Sequence, residues 1–438
     1  MRILCIDKNA SALDWCLRCQ EAGHEVRLFI KNDPKYGSIG EGLITKVKDF
    51  QPWLKWANLI VAYDNCLYIK ALDDFRRSMP CYVVAPTEET TDWELDRIKG
   101  MKVLNDHGID TPPYRGFNDY DEAIKYVAKE GKRFVSKPSG EADKALSYCA
   151  KSPDDMISQL MRWKKSEMKR RDFILQEFVE GIEMAVGGWF GPGGFNEGWC
   201  ENFEFKKLMN GDLGVATGEQ GTILRYVRAS KLAAKVLNPL SSTLEELGYV
   251  GYIDVNCIID SKGKPWPLEF TMRPGYPTID IQCPLHTGDP AEWLLDLCKG
   301  KDAHNIEFNS ISCGVVVTIP DYPYSHFTRK QVVDIPVYGM KNGMMDSIHL
   351  CEIKAGEAPY VVNGKVVMAP CLVTAGDHPL VVTGVAESVK DARQKAYGVI
   401  KKLVIPNSPM WRTDIGMRLS EQLPTLQAMG YARGLRFS

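Results

Sequence analysis

Short apolar runs separated by amphipathic segments open the chain. RILCI at residues 2–6 predicts a buried strand, ASALDWCLRCQEAG a helix ending at Gly23, and EVRLFI a second strand. ANLIVAYD near 57–64 and PCYVVAP at 80–86 add further strands with helical sequence between them. This alternation predicts a small parallel α/β domain over residues 1–92. Its first turn carries no G-x-G-x-x-G, so the phosphate cradle of a dinucleotide fold is not expected.

The pattern changes near Glu94. Residues 94–107 read as one helix, broken by Gly108 and the Pro112–Pro113 pair. AIKYVAKEG predicts another helix, and KRFVSKPS and DFILQEFVEG predict strands. A basic amphipathic helix is expected over about 153–171, and its charge run, RWKKSEMKRR, reads as a solvated face. Two more apolar strands surround Asp254 and Glu269, giving a mixed α/β domain over 93–305. From Ser310 onward SCGVVVTIP, SIHLCEI, KVVMAPCLVTAG and HPLVVTGVA are strand-like, and SVKDARQKAYGVIKKLVI is an amphipathic helix. An α+β domain with an antiparallel sheet is expected over 306–438.

Composition narrows the function classes. Hydrophobic residues make up 45% of the 438 and charged residues 25%, as in folded globular chains. Lysine and arginine total 54 against 56 acids, a net charge of -2 that argues against a broad nucleic-acid surface. A local phosphate site needs only a few cations. No run of 18 apolar residues predicts a membrane span, and the amino terminus has no signal-like apolar region. The 13 cysteines are scattered and odd in number, which points to reduced thiols and a cytoplasmic setting. Cys16 and Cys19 form a close pair without a second pair nearby, so neither zinc nor redox chemistry is expected of them.

Three groups of residues can carry chemistry. Lys137 closes a strand before a small-residue loop that contains Lys144, and such a loop can bring backbone N–H groups and a lysine to phosphate oxygens. The segment from Gln176 to Glu183, QEFVEGIE, could offer an extended hinge to a purine edge and a carboxylate beyond it; an edge strand ending in an acidic turn would read the same way. Asp254 on GYIDVNCII and Glu269 on PWPLEF could face one pocket if their strands pair, holding magnesium beside phosphates. Arg273 could neutralise a buried carboxylate there or bind a transferred phosphate.

Taken in order along the chain, these segments resemble the ATP-grasp superfamily, and more closely the phosphoribosylamine–glycine ligases. Asp212–Gly221, DLGVATGEQG, resembles that family's D-x-G-P-N-T-G-G-M-G, and Glu204–Lys207, EFKK, stands where the family has D-H-K-R. Leu268–Pro277, LEFTMRPGYP, resembles EFNxRFGDPE. Ala392–Tyr397 and Arg412–Arg418, RTDIGMR, resemble the closing helix and its R-x-D-I-G-x-R tail. The resemblance implies an ATP-grasp fold with an amino-terminal parallel α/β domain and a carboxy-terminal α+β domain. It implies ATP and Mg2+ as cofactors. By the same resemblance Lys137, Lys144 and Arg97 would reach the nucleotide phosphates, Gln176 with the backbone of Phe178 and Val179 would receive adenine, and Glu183 would bind ribose. Glu269 would coordinate magnesium, with Asp254 and Thr271 as further ligands. Thr217 and Gly218 would cover the reacting acyl group, and Arg273 would assist its phosphate.

The departures fall at the phosphate loop and at the amine side. The family's G-G-R-E-H is replaced by Asn9-Ala10-Ser11-Ala12-Leu13, its magnesium asparagine by Thr271, and its G-K-G by Asp143-Lys144-Ala145. Its G-D-P-E is Gly275-Tyr276-Pro277-Thr278 here, and its G-G-R is Gly376-Asp377-His378. Lost glycines change a loop's reach, and lost arginines remove bidentate phosphate donors. The expected activity is an ATP-dependent carboxylate–amine ligase that forms an amide through an acyl phosphate, joining glycine or another small amino acid to an amine acceptor. The alternatives are an authentic phosphoribosylamine–glycine ligase and a catalytically degenerate ATP-binding protein.

Overall fold

The computed structural model describes residues 1–31, 36–65, 68–79, 81–138, 147–166, 172–302, 305–324 and 332–438. Lys144 and its neighbours in the small-residue loop lie outside them. At the amino terminus five strands form a parallel sheet in the order Thr45–Val47, Glu25–Ile30, Arg2–Asp7, Leu59–Ala62, Tyr82–Val84. Leu59–Ala62 is buried throughout, as a strand covered on both faces requires. The helix Leu13–Glu21 packs Leu13, Trp15, Cys16 and Cys19 inward, and the chain turns at Gly23 with φ 90°.

The expected helix over 94–107 is two helices, Glu88–Leu95 and Arg97–Asp106. The break is at Asp96, whose extended backbone and side chain cap the second helix by accepting from the N–H groups of Ile98 and Lys99 at 3.0 and 3.1 Å. An Asp96→Ala chain should therefore unfold at lower denaturant, with a loss of about 1 kcal/mol.

A second, antiparallel sheet has the order Tyr114–Phe117, Phe173–Glu177, Phe134–Pro138, Tyr148–Cys149. The helices Tyr120–Glu130 and Pro153–Lys165 enclose a separate core with it, built on Phe117, Phe134, Leu160, Trp163 and Phe173. Ser152 caps the second helix, and Met156, Leu160 and Trp163 form its buried stripe.

The largest sheet runs Pro265–Thr271, Gly251–Ile259, Ile182–Gly191, Trp199–Glu204, Gly221–Val227, Ile311–Val317, Leu380–Ala386, Ile348–Leu350. Its neighbouring strands are antiparallel. Gly221–Val227 pairs with Ile311–Val317, so one ladder joins strands on both sides of residue 305. The helix Val389–Ile400 covers the carboxy-terminal strands, and a two-stranded ribbon, Ile353–Val362 with Lys365–Thr374, projects from them. Among the described residues no helix is long and apolar enough to cross a membrane.

Three central strands are not expected from the sequence pattern. Ile182–Gly191 carries Gly187, Gly188 and Gly191, residues that usually weaken strands. At Gly187 the reason is contact, because an added Cβ would lie 2.0 Å from the Tyr252 hydroxyl and 2.8 Å from Asp254. Trp199–Glu204 and Gly221–Val227 contain Glu201, Glu204 and Arg225, which obscure their apolar alternation.

Candidate functional site

Residues two apart on a strand share a face, and antiparallel partners face the same way. In the hairpin of Gly251–Ile259 with Pro265–Thr271, Asp254 lies opposite Thr271 and Asn256 opposite Glu269. Gly187 pairs with Asp254 and Ala185 with both Asn256 and Asn202. One face of the large sheet therefore collects Glu183, Asn202, Glu204, Asp254, Asn256, Glu269 and Thr271.

Lys206, just beyond the strand Trp199–Glu204, reaches over this face. Its Nζ lies 3.1 Å from Glu183 Oε1, 3.0 Å from Glu204 Oε2 and 3.3 Å from Glu269 Oε1. Arg97, at the start of the helix that Asp96 caps, places a guanidinium nitrogen 3.0 Å from Glu269 Oε2. Lys137 comes from the facing antiparallel sheet, one residue before the end of the strand Phe134–Pro138, and donates to the Leu268 carbonyl at 2.8 Å.

The charges tune one another. Burial would lower the Lys206 ammonium, but Glu183, Glu204 and Glu269 hold it well above the ordinary lysine value. Burial would raise Glu269, but Arg97, Lys206 and Lys137 keep it well below the usual carboxylate range. Glu183 is lowered too, its burial outweighed by Lys206 and then Arg418. Lys137 is pushed down to about 8, chiefly by burial, with Glu269 opposing and Arg97 adding to the drop. Asp254 rises to about 7 through burial and the nearby Glu204. It accepts from Asn202 Nδ2 at 2.8 Å and from the Tyr252 hydroxyl at 3.1 Å.

The residues that carry the sequence resemblance thus divide. Arg97, Lys137, Glu183 and Glu269 surround Lys206, while Asp254 and Thr271 lie along the same face. Thr217 joins through Lys206, whose carbonyl accepts from its hydroxyl at 2.9 Å and its N–H at 2.8 Å; Gly218 beside it is exposed. Arg273 is 3.1 Å from Glu94 Oε1, and Glu94 also accepts from the Met272 N–H. Gln176, Phe178 and Val179 stand at the end of the strand Phe173–Glu177. Gln176 is buried with its amide 3.5 Å from the Met101 sulfur, and Phe178 lies under the Arg133 guanidinium, donating its N–H to the Arg133 carbonyl.

Lys206, Glu204, Asn256 and Glu94 are absent from the candidates drawn from sequence. Lys206 and Glu204 sit in the EFKK segment, noted above only for its likeness to D-H-K-R. The alternation of Asn202 and Glu204 along WCENFE was the available signal.

The carboxy-terminal RTDIGMR segment locks the loop after Lys206 in place. Arg412, 1% exposed, donates to Asp212 Oδ1 and both Asp414 oxygens at 2.8 Å and to the Lys207 carbonyl at 3.0 Å. Asn210 and Thr413 exchange two further hydrogen bonds. Arg418 reaches Asp212 and the Glu204 carbonyl.

Residues 99–279 match the family model for the phosphoribosylglycinamide synthetase ATP-grasp (A) domain. By that match these residues carry an ATP-grasp domain. The chain is 24% identical to the phosphoribosylamine–glycine ligase of Streptococcus pneumoniae over 389 residues, 85% of this chain and 87% of that one. A bifunctional purine biosynthetic protein of Pichia angusta is also 24% identical, and the chain spans 43% of its length and aligns over 78% of its own. In fold it is similar to the phosphoribosylamine–glycine ligase of Thermotoga maritima, with TM-score 0.72 and 18% identity over 95% of this chain and all of that one. An L-amino acid ligase of Bacillus licheniformis has TM-score 0.58 and 12% identity, over 93% and 99% of the two chains.

In the Gly376-Asp377-His378 segment, His378 Nδ1 lies 3.3 Å from Glu352 Oε2 and 3.2 Å from Asp377 Oδ1. Tyr276 and Tyr322 flank its ring at 5.5 and 5.9 Å. Gln220 connects this cluster to the Thr217 loop, its amide 3.3 Å from the Tyr322 hydroxyl and 3.2 Å from Thr217 Oγ1.

Proposed function

We propose that the protein is an ATP-dependent carboxylate–amine ligase that joins glycine or another small amino acid to an amine. The observation that carries this reading is the set of three cations, Arg97, Lys137 and Lys206, held over one carboxylate-lined sheet face. ATP-dependent ligation is the chemistry of the superfamily; the acid, the acceptor and the residue roles are our own assignment.

The donor set fits nucleotide and metal. Cations already neutralised by carboxylates can exchange those partners for phosphate oxygens, and the carboxylates so released are suited to magnesium. Glu269 would hold the metal, with Thr271 offering a hydroxyl. Asp254 is a weaker candidate, because its raised pKa and its bonds to Asn202 and Tyr252 favour a retained proton. Magnesium supplies charge neutralisation on the transferred phosphoryl group. Arg97, Lys137 and Lys206 would orient the phosphates, and by the sequence resemblance Lys144 would reach them too. Glu183 would bind ribose, and Gln176 with the Phe178–Val179 backbone would border the purine.

The acid's carboxylate oxygen attacks the γ-phosphorus and ADP leaves. The amine nitrogen then attacks the acyl carbon, the amide forms, phosphate leaves and one proton is released. Thr217 and Gly218 would shield the acyl phosphate from water, and Arg273 would steady its phosphate. An acceptor other than phosphoribosylamine is favoured by the acidic Glu352–Asp377–His378 cluster, which stands where the family carries arginine.

The reading is tested by ADP release across a matrix of small amino acids and amines, phosphoribosylamine included. ADP should appear only when an acid and an amine are both present, with mass confirming the amide. Turnover confined to glycine with phosphoribosylamine would make the protein a standard member of that family; ATP binding without turnover on any pair would mark a degenerate enzyme.

Lys137 adds a pH signature. In the free protein its charge is half lost near pH 8, so ATP affinity should fall as pH rises through that value. Stability should move the other way. Between about 8 and 10.5 the unfolded chain holds the proton that folded Lys137 has given up, so this group's contribution grows with pH. Calorimetric ATP titrations and denaturant midpoints from pH 7 to 10 check both slopes.

A further inference from the structure

A cavity of about 300 Å³ lies between the amino-terminal sheet domain and the large sheet, on the carboxylate-bearing face but farther along it, where Trp189 stands two residues beyond Gly187, the partner of Asp254. Its walls include Trp15, Tyr63, Trp189, His286 and Trp293, and Pro274 also lines it. The exposed residues Glu21, Ala22, Thr287 and Gly288 mark its mouth. The mouth is at the carboxy-terminal end of the helix Leu13–Glu21, whereas the altered Asn9–Leu13 loop is at the other end. Nine residues of helix separate the two by about 13 Å.

The walls are ordered as a ring-binding surface. Trp293 stacks on His286 with centroids 4.7 Å apart and planes at 19°, and Trp189 meets Trp293 edge-on at 4.5 Å. A hydrogen-bond chain fixes the tautomer of His286. The Trp189 indole N–H can only donate, and it lies 3.3 Å from the Tyr226 hydroxyl oxygen. Tyr226 is fully buried, and the acceptor beside its own O–H is His286 Nε2 at 2.8 Å. His286 is neutral at physiological pH, because burial lowers its pKa to about 3. With Nε2 accepting, the proton of the neutral ring is on Nδ1, a fixed donor on a residue that lines the cavity.

We propose that this cavity binds an uncharged planar aromatic ring bearing a hydrogen-bond acceptor, at a site distinct from the Arg97, Lys137 and Lys206 cluster. Its volume suits a single substituted ring, at the small end of ligand pockets. The aromatic walls supply stacking, and the His286 Nδ1–H selects the acceptor. A cation is disfavoured. Arg18 lines the same cavity, and Asp289 is engaged by His24 at 2.7 Å and by the Ala291 and Glu292 N–H groups. The cavity also touches the reaction site. Trp189 contacts Tyr252 at 5.1 Å, Tyr252 donates to Asp254, and Pro274 follows Arg273. A ring bound here would therefore press on side chains that pack beside Asp254 on the same face.

Benzamide is the probe, with toluene lacking the acceptor and tetramethylammonium as the cationic control. Calorimetry and ligand-observed NMR on the full chain should show one benzamide site, tighter than toluene by about fivefold, the worth of one neutral hydrogen bond. His286→Phe should remove that preference while toluene still binds. Ala22→Trp, a surface change at the mouth, should block both rings and leave the thermal unfolding midpoint unchanged, which keeps the test valid if the His286 variant does not fold. Absence of benzamide binding to the folded wild type, tighter binding of tetramethylammonium, or full affinity in Ala22→Trp would each overturn the proposal. None of these results depends on ligase activity.

Discussion

Lys206→Met is expected to reduce ATP-dependent amide formation by roughly 10²–10³-fold, the scale for removing one preorganised charge from a reacting phosphate or acyl group. Without the ammonium, Glu183, Glu204 and Glu269 converge with less compensation, leaving Arg97 and Lys137 beside Glu269. The folded chain should also lose about 2 kcal/mol, less than for a fully buried pair because Lys206 keeps 30% of its side chain exposed. Magnesium should restore more stability to the variant than it adds to the wild type, since a divalent cation can take the place of the ammonium among the three carboxylates. Urea unfolding with and without magnesium, beside ADP release, measures all three effects. Turnover within a factor of ten of wild type would remove Lys206 from the phosphate-handling set.

Arg412→Met should cost about 3 kcal/mol in unfolding free energy. The guanidinium is almost wholly enclosed, lies 5.1 Å from the Phe205 ring, and ties Asp212, Asp414 and the Lys207 carbonyl together. Its loss leaves two carboxylates and a carbonyl facing a methionine. Arg412→Lys should recover little, because an ammonium cannot reproduce the forked donors that engage both oxygens of Asp414. The same substitutions should loosen the loop from Lys206 to Asp212, read as faster amide exchange at Gly211, whose N–H donates to Asp414. A loss below about 1 kcal/mol in Arg412→Met would mean that the two aspartates are satisfied by solvent.

These two arginine and lysine positions show how far the sequence could be read. The amino-terminal alternation of strand and helix was plain because Arg2–Asp7 and Leu59–Ala62 are apolar runs bounded by polar turns. The Asp254–Glu269 hairpin was visible for the same reason, with a Ser-Lys-Gly-Lys turn between its strands. The strand Ile182–Gly191 was hidden because its glycines answer tertiary contacts, Gly187 from Tyr252, Gly188 from Phe195 and Trp199, and Gly191 from Leu297, which the strand's own pattern does not contain. Lys206 was hidden because its three carboxylate partners come from three separate strands. A lysine after a strand is ordinary, and only the pairing register makes this one central. The helix break at Asp96 was written in the sequence as a capping aspartate, masked by helical propensity on either side.

Ligation through an acyl phosphate is tested most directly by oxygen transfer. With glycine labelled by ¹⁸O in both carboxylate positions, or the acid that supports turnover in its place, one ¹⁸O should appear in the released phosphate and the other should remain in the amide. Amide accompanied by unlabelled phosphate would contradict carboxylate attack on the γ-phosphorus, and ADP released without either acid or amine would contradict ligation altogether.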